Sequence, residues 1–114
     1  MTNAISTAAL AKQMSAFQIF DVRRRPAFES SPALLPTATW RSPTDVTQWQ
    51  ADLDPARPVV VYCVHGHEVS QGCADILQAS GFDASYLDGG FEQWSSEGRA
   101  LEAKQNARNL SLTR

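Results

Sequence analysis

The most constraining stretch of the chain is Val59-Val60-Val61-Tyr62, an unbroken apolar run that leads straight into Cys63. Such a run fits a strand buried on both faces, as in a parallel sheet covered by helices on each side. A short loop containing Gly66 follows, and a helical pattern opens at about Ser70 and extends to about Ser80. A cysteine between a strand end and a helix N-terminus sits among unpaired backbone N–H groups and at the positive end of the helix dipole. Both favour a thiolate over a thiol. Parallel α/β sheets bind ligands outside the carboxyl ends of their strands, which is where Cys63 falls.

The rest of the chain alternates strands and helices. Ser6 or Thr7 can cap a helix over about 7–15, with Leu10 and Met14 four residues apart. Gln18 to Val22 reads as a strand, and Arg23 to Ser30 holds one helical turn with Pro26 near its start. Residues 30–39, punctuated by Ser and Pro, read as a surface loop that ends in a brief strand at Thr39-Trp40. Ser42-Pro43 suits the N-cap and first position of a helix over about 43–52, with Val46, Trp49 and Leu53 on one face. A turn at 54–58 precedes the apolar run. In the helix after the cysteine loop, Cys73, Ala74, Ile76 and Leu77 line the inner side and Gly81 ends it. Ala84 to Leu87 forms another strand, Asp88-Gly89-Gly90 a turn, and Phe91 to Ser96 a short helix with Trp94 inward. The alternation predicts an α/β class with a mostly parallel sheet.

Bulk properties narrow the function classes. The 114 residues suit one core, and a formal net charge of -2 gives no basic surface for nucleic acid or an anionic membrane. No apolar run approaches the ~18–20 residues of a membrane span. The first residues lack a basic stretch followed by an apolar one, so no signal peptide is expected. Cys63 and Cys73 are too few for a disulfide framework, and the expected location is the reducing cytoplasm.

Three features in order, Ile19-Phe20-Asp21-Val22-Arg23, the loop Cys63-Val64-His65-Gly66-His67-Glu68, and Leu87-Asp88-Gly89-Gly90-Phe91-Glu92-Gln93-Trp94 followed by Gly98, resemble a single-domain rhodanese, a thiosulfate sulfurtransferase-like protein. The resemblance covers roughly residues 5–100. It implies an open α/β domain over residues 1–100, with a central, mostly parallel five-stranded sheet flanked by helices. Residues 101–114 then form a polar tail, frayed helix or disordered. The resemblance also implies that Cys63 is the nucleophile and carries a sulfane sulfur as a persulfide. The loop from Val64 to Val69 (Val64, His65, Gly66, His67, Glu68, Val69) then supplies the backbone cradle, with Asp21 and Arg23 beside the active site. The implied partners are a small-molecule donor such as thiosulfate or a persulfide, and cyanide or a thiol, a protein thiol included, as acceptor. No cofactor, nucleic acid or membrane is implied, and the chain is expected to be a monomer or weak homodimer. Many relatives carry arginine where this chain has Glu68, and the segment at 32–38 departs from the family pattern.

Several residues have competing readings. His65 and His67 can bear on a thiolate or a bound anion, but Cys-x-His-x-His on a tight loop turns alternate side chains apart, against a zinc site. Glu68 suits a helix N-terminus, yet a carboxylate ~6 Å from a thiolate costs about 2–3 kcal/mol at an effective dielectric near 20. Thiosulfate, a dianion, is therefore expected to be a poorer donor here than for arginine-bearing relatives, and Glu68→Arg is expected to lower its KM. Arg41 is a weak candidate for anion binding. Cys73, on the helix, is expected to pack in the core beyond disulfide reach of Cys63. A cysteine phosphatase or arsenate reductase would need an arginine at the end of the loop, and none occurs from residue 58 to 98. The remaining alternative is a non-catalytic or regulatory module in which the fold serves as a binding surface.

Overall fold

A computed structural model describes residues 3–104. Seven strands and five α-helices follow one another: β1 (Asn3–Ile5), α1 (Thr7–Lys12), β2 (Gln18–Asp21), α2 (Arg25–Ser30), β3 (Ala33–Leu34), β4 (Thr39–Trp40), α3 (Val46–Trp49), β5 (Val59–Tyr62), α4 (Glu68–Ala79), β6 (Ala84–Leu87), α5 (Gly90–Ser96) and β7 (Glu102–Ala103). Five strands form one all-parallel sheet in the order β1-β6-β5-β2-β4, and β3 and β7 pair antiparallel apart from it. The α/β architecture expected from the sequence, a five-stranded parallel sheet flanked by helices, is the one observed.

β5 is the central strand, with Val59, Val60, Val61 and Tyr62 all fully buried. Alternate side chains enter opposite layers. Val60 and Tyr62 join Leu10, Leu35 and Trp94 on one face, while Val59 and Val61 join Val46, Trp49 and Leu77 on the other. Two-sided burial explains why the run shows no polar alternation. The neighbouring registers, Asp21 beside Tyr62 and Val61 beside Tyr86, bring the carboxyl ends of β2, β5 and β6 to one edge.

Local departures from the sequence expectation have identifiable causes. Residues 30–39 are not only a surface loop, because Leu34, Leu35 and Ala38 are buried and β3 pairs with β7. That strand lies beyond the boundary expected at residue 100, and Lys104 donates its backbone N–H to Pro32 O. The rest of the expected tail, 105–114, lies outside the described residues. α3 starts at Val46 rather than Pro43. The Ser42 carbonyl accepts the Trp49 indole N–H at 2.8 Å, and Asp45 O accepts from Gln48 and Trp49, so Asp45 takes the N-cap place. The first helix stops at Lys12 and gives way to a 3-10 turn at Met14–Ala16, with Ser6 capping its start through Ala9 N. Ile76, expected inside, is 39% exposed, whereas Cys73, Ala74 and Leu77 are buried. β1, an edge strand paired with β6, has only three residues and no apolar pattern to reveal it. Among the described residues no helix is long and apolar enough to cross a membrane.

Candidate active site

Cys63 directly follows β5 and is buried at 6% exposure. A cavity of about 180 Å³ opens beside it, lined by Arg23, Arg24, Val64, His65, Glu68 and Val69 among others. The loop between β5 and α4 is held from below by the start of α5. Phe91 N–H donates to Cys63 O and Glu92 N–H to Val64 O, both at 2.8 Å, and the Gln71 side-chain amide donates to Gly66 O at 3.1 Å. In a planar trans peptide the N–H points opposite to the preceding C=O. Tethering those three carbonyls therefore turns the amides of Val64, His65 and His67 to the other side of their peptide planes. Among the described residues, the amides of Val64, His65, Gly66 and His67 donate to no protein acceptor. Those of Val64, His65 and His67, turned away from the tethering side, are suited to a negatively charged atom, whereas the Gly66 amide faces the Gly90 turn.

The glycines explain why the cysteine loop and the Asp-Gly-Gly-Phe turn occur together. Gly90 has φ +62°, and a Cβ there would lie 2.5 Å from Cys63 O and 2.6 Å from Gly66 N. Gly66, at φ +74°, would meet Leu87 O at 2.7 Å. Loop and turn pack backbone on backbone, and only glycine at both positions permits that approach.

α4 begins at Glu68, two residues earlier than the sequence suggests, because Gln71 N–H reaches His67 O at 3.0 Å. This early start brings the fully buried Ser70 under the cysteine, with its Oγ 3.1 Å from Cys63 Sγ. Cys73, one turn further along the same helix, is also buried, and its thiol is directed at Pro43 O at 3.7 Å. Burial, with a smaller contribution from Cys63, pushes the Cys73 thiol up to about 12. It is held as a protonated core group, and both cysteines are free.

The end of β2 closes the site from the side. Arg23 Nε donates to both Asp21 carboxylate oxygens at 2.9 Å, and Arg23 N–H donates to Asp21 Oδ1 at 3.0 Å. Tyr62 OH donates to Asp21 Oδ2 at 2.9 Å and accepts from Leu35 N–H at 3.1 Å. The Arg23 guanidinium lies 4.3 Å from the Phe91 ring centroid and is flanked by Phe28 and Tyr62. Burial first, and the Asp21 charge second, raise the Tyr62 hydroxyl well above its ordinary value, so the phenol remains a donor.

A strand-terminal cysteine on a tethered loop, backed by an Asp-Gly-Gly-Phe turn, is matched over residues 6–97 by the Rhodanese-like domain family model. The chain belongs to the rhodanese family. It is 34% identical over 89 residues to the thiosulfate sulfurtransferase GlpE of Coxiella burnetii, covering 77% of this chain and 80% of that protein. GlpE of Shewanella oneidensis is 54% identical over a shorter stretch of 46 residues, 40% of this chain and 43% of that one. A rhodanese-related protein of Thermoplasma volcanium superposes with a TM-score of 0.79 at 22% identity, covering 88% of this chain and 97% of that chain.

Within this rhodanese, the residues singled out from the sequence do not all meet at Cys63. Val64, His65, His67, Glu68 and Val69 line its cavity, and Gly66 lies behind the loop against the turn. Glu68 and Val69 do so from the first turn of α4 rather than from a loop. The His65 and His67 rings are exposed, with centroids 6.0 Å apart and planes tilted by 32°. Among the described residues no three His, Cys, Asp or Glu side chains are grouped as metal ligands. Arg23 reaches the cavity wall, but its charge is already paired with Asp21. Arg41 belongs to a separate groove with Trp40 and Trp49 and faces Asp52 at 3.9 Å. Sequence reasoning missed Ser70, Tyr62 and Phe91. Their roles depend on where the helix starts and on which strand ends adjoin.

Proposed function

We propose that this rhodanese is a sulfurtransferase in which Cys63 carries a sulfane sulfur as a persulfide. The observation that supports the reading most is that the amides of Val64, His65 and His67, on the loop that follows a buried thiol, have no protein acceptor among the described residues and are turned away from the side tethered to α5. An outer sulfur bonded to Cys63 Sγ would take those donors, which are preorganised and need no general base. The names of the Coxiella burnetii and Shewanella oneidensis relatives support thiosulfate as one donor.

The transfer balances without a redox partner. The Cys63 thiolate attacks the outer sulfur of thiosulfate, an S–S bond forms, the donor S–S bond breaks, and sulfite leaves with its electron pair. Cyanide or a thiolate then attacks the outer sulfur of the Cys63 persulfide, releasing thiocyanate or a new persulfide and regenerating the thiolate. Phosphoryl or arsenate chemistry is disfavoured, because the loop runs into Glu68 and Val69 of α4 without an oxyanion-clamping arginine, and Arg23 is paired with Asp21.

Intact-mass measurement after incubation with thiosulfate or polysulfide tests the reading. The wild type is expected to gain one sulfur and Cys63→Ser none. Glu68 in the cavity wall favours a second reading, a binding module on the rhodanese fold. Failure to gain sulfur from any sulfane donor would select it.

A further inference from the structure

The charged groups around the Cys63 cavity indicate which small molecule it suits. Among the described residues, those lining it are Arg23, Arg24, Glu68 and the two histidines. The Arg23 guanidinium is 2% exposed and bound to an equally buried Asp21, so that pair presents no net charge. Glu68 is exposed on the rim, at the first position of α4. Between these charges the wall is aliphatic, made by Ala27, Val64 and Val69. A small dianion brought here would lose hydration against aliphatic carbon and meet the Glu68 carboxylate on the rim, with Arg24 as the one exposed guanidinium among the lining residues.

We propose that the sulfur acceptor at this site is a small thiol bearing an ammonium group near its sulfur, and in the reverse direction the donor is that thiol's persulfide, with Glu68 as the specificity-determining residue that receives the ammonium. The assignment rests on the sulfurtransferase reading and names the substrate class for it. Cys63 and Glu68 line one cavity of about 180 Å³, small enough that a thiol with its sulfur at the Cys63 persulfide and an ammonium two carbons away would bring the two charges together. The exposed Arg24, on the same wall, leaves room for a carboxylate on the amine-bearing carbon, so a zwitterionic aminothiol is accommodated as well. The aminothiolate attacks the outer sulfur of the persulfide. A new S–S bond forms on the acceptor, the bond to Cys63 Sγ breaks, and Cys63 leaves as thiolate. Protons and electrons balance between one thiolate and one persulfide on each side.

The test separates loading from discharge. Full-length protein is loaded with polysulfide and desalted, and the sulfur on Cys63 is counted by mass. Discharge is then timed with cysteamine, cysteine, 2-mercaptoethanol and 3-mercaptopropionate, with rates expressed per thiolate. Wild type is expected to favour cysteamine over 3-mercaptopropionate by roughly tenfold, since the charge near Glu68 reverses between them, and the ratio should shrink with added salt. Glu68→Gln is expected to bring the ratio close to one. Asp75→Asn, which removes an exposed carboxylate of α4 outside the cavity, is expected to keep it. Equal discharge by all four thiols, or a preference that survives Glu68→Gln, would overturn the assignment while leaving sulfurtransfer intact. Failure to load any sulfur would instead overturn both.

Discussion

The Sγ of Cys63 lies 3.1 Å from the Oγ of the fully buried Ser70. The hydroxyl can accept from the thiol and, by rotating, donate to the thiolate, so it would serve the proposed nucleophile before and after it loses its proton. Hydrogen bonds to charged groups contribute about 1.5–3 kcal/mol. Ser70→Ala is therefore expected to slow sulfur loading by roughly ten- to a hundredfold, with the thermal transition little changed. Stopped-flow loading rates beside a melting curve check this. Unchanged loading would remove Ser70 from the site.

Arg23 and Asp21 are a buried framework for the site. Their ion pair joins β2 to Tyr62, to the Ala33 carbonyl and to the Phe91 ring that opens α5. Removing one charge strands the other in a buried site, at a cost of about 3–5 kcal/mol. Arg23→Met is expected to destabilise by that amount in urea unfolding. Combining it with Asp21→Asn should cost less than the two single losses added together. Strict additivity would show that the pair is not energetically coupled.

Gly90 and Gly72 should respond oppositely to alanine. At Gly90 the positive φ and the 2.5 Å approach to Cys63 O force the turn away from the loop. Sulfur loading should fall more steeply than stability, which is expected to drop by about 1–3 kcal/mol. Gly72 lies inside α4 with nothing within 4 Å of an added Cβ, so Gly72→Ala is expected to stabilise by about 0.5–1 kcal/mol. Urea midpoints and loading rates for the two variants decide the matter.

Glu97 links α5 to α1. Its carboxylate accepts from the buried Thr7 hydroxyl at 2.6 Å, from the Gln93 amide and from Arg99, and in that order these lower it to about 2. A carboxylate lowered on folding contributes stability above its ordinary range near 4.5 and loses it as pH falls toward about 2. The stability gap between wild type and Glu97→Gln should therefore narrow steadily on acidification through that window. A gap independent of pH would show that the carboxylate charge contributes nothing to the link.

Patterned apolar segments made most of the framework legible. The β5 run, the alternating elements and the inward Trp94 follow from residue type and period alone. Strands of two or three residues, such as β1, β3 and β7, carry too few side chains to show a period, and Leu34 and Leu35 were hidden among prolines and serines. At the site, Cys63 and its loop were visible because a strand end and a glycine announce them. Ser70 was visible only once α4 was known to begin at Glu68. The aromatic enclosure of Arg23 draws on three separate segments, and spacing along the chain does not reveal it. Arg41 looked plausible beside Trp40, yet the chain turns it toward Asp52 in a different groove.

Sulfur is expected to reside on Cys63 and not on Cys73. Burial raises the Cys73 thiol and keeps it from reagents, so it should neither load nor alkylate near neutrality. Peptide-resolved mass spectrometry of polysulfide-treated wild type, Cys63→Ser and Cys73→Ser is the most direct measurement. One added sulfur on the Cys63 peptide in wild type and Cys73→Ser, and none in Cys63→Ser, is the predicted result. Sulfur on Cys73, or on neither cysteine, would rule out a Cys63 persulfide carrier.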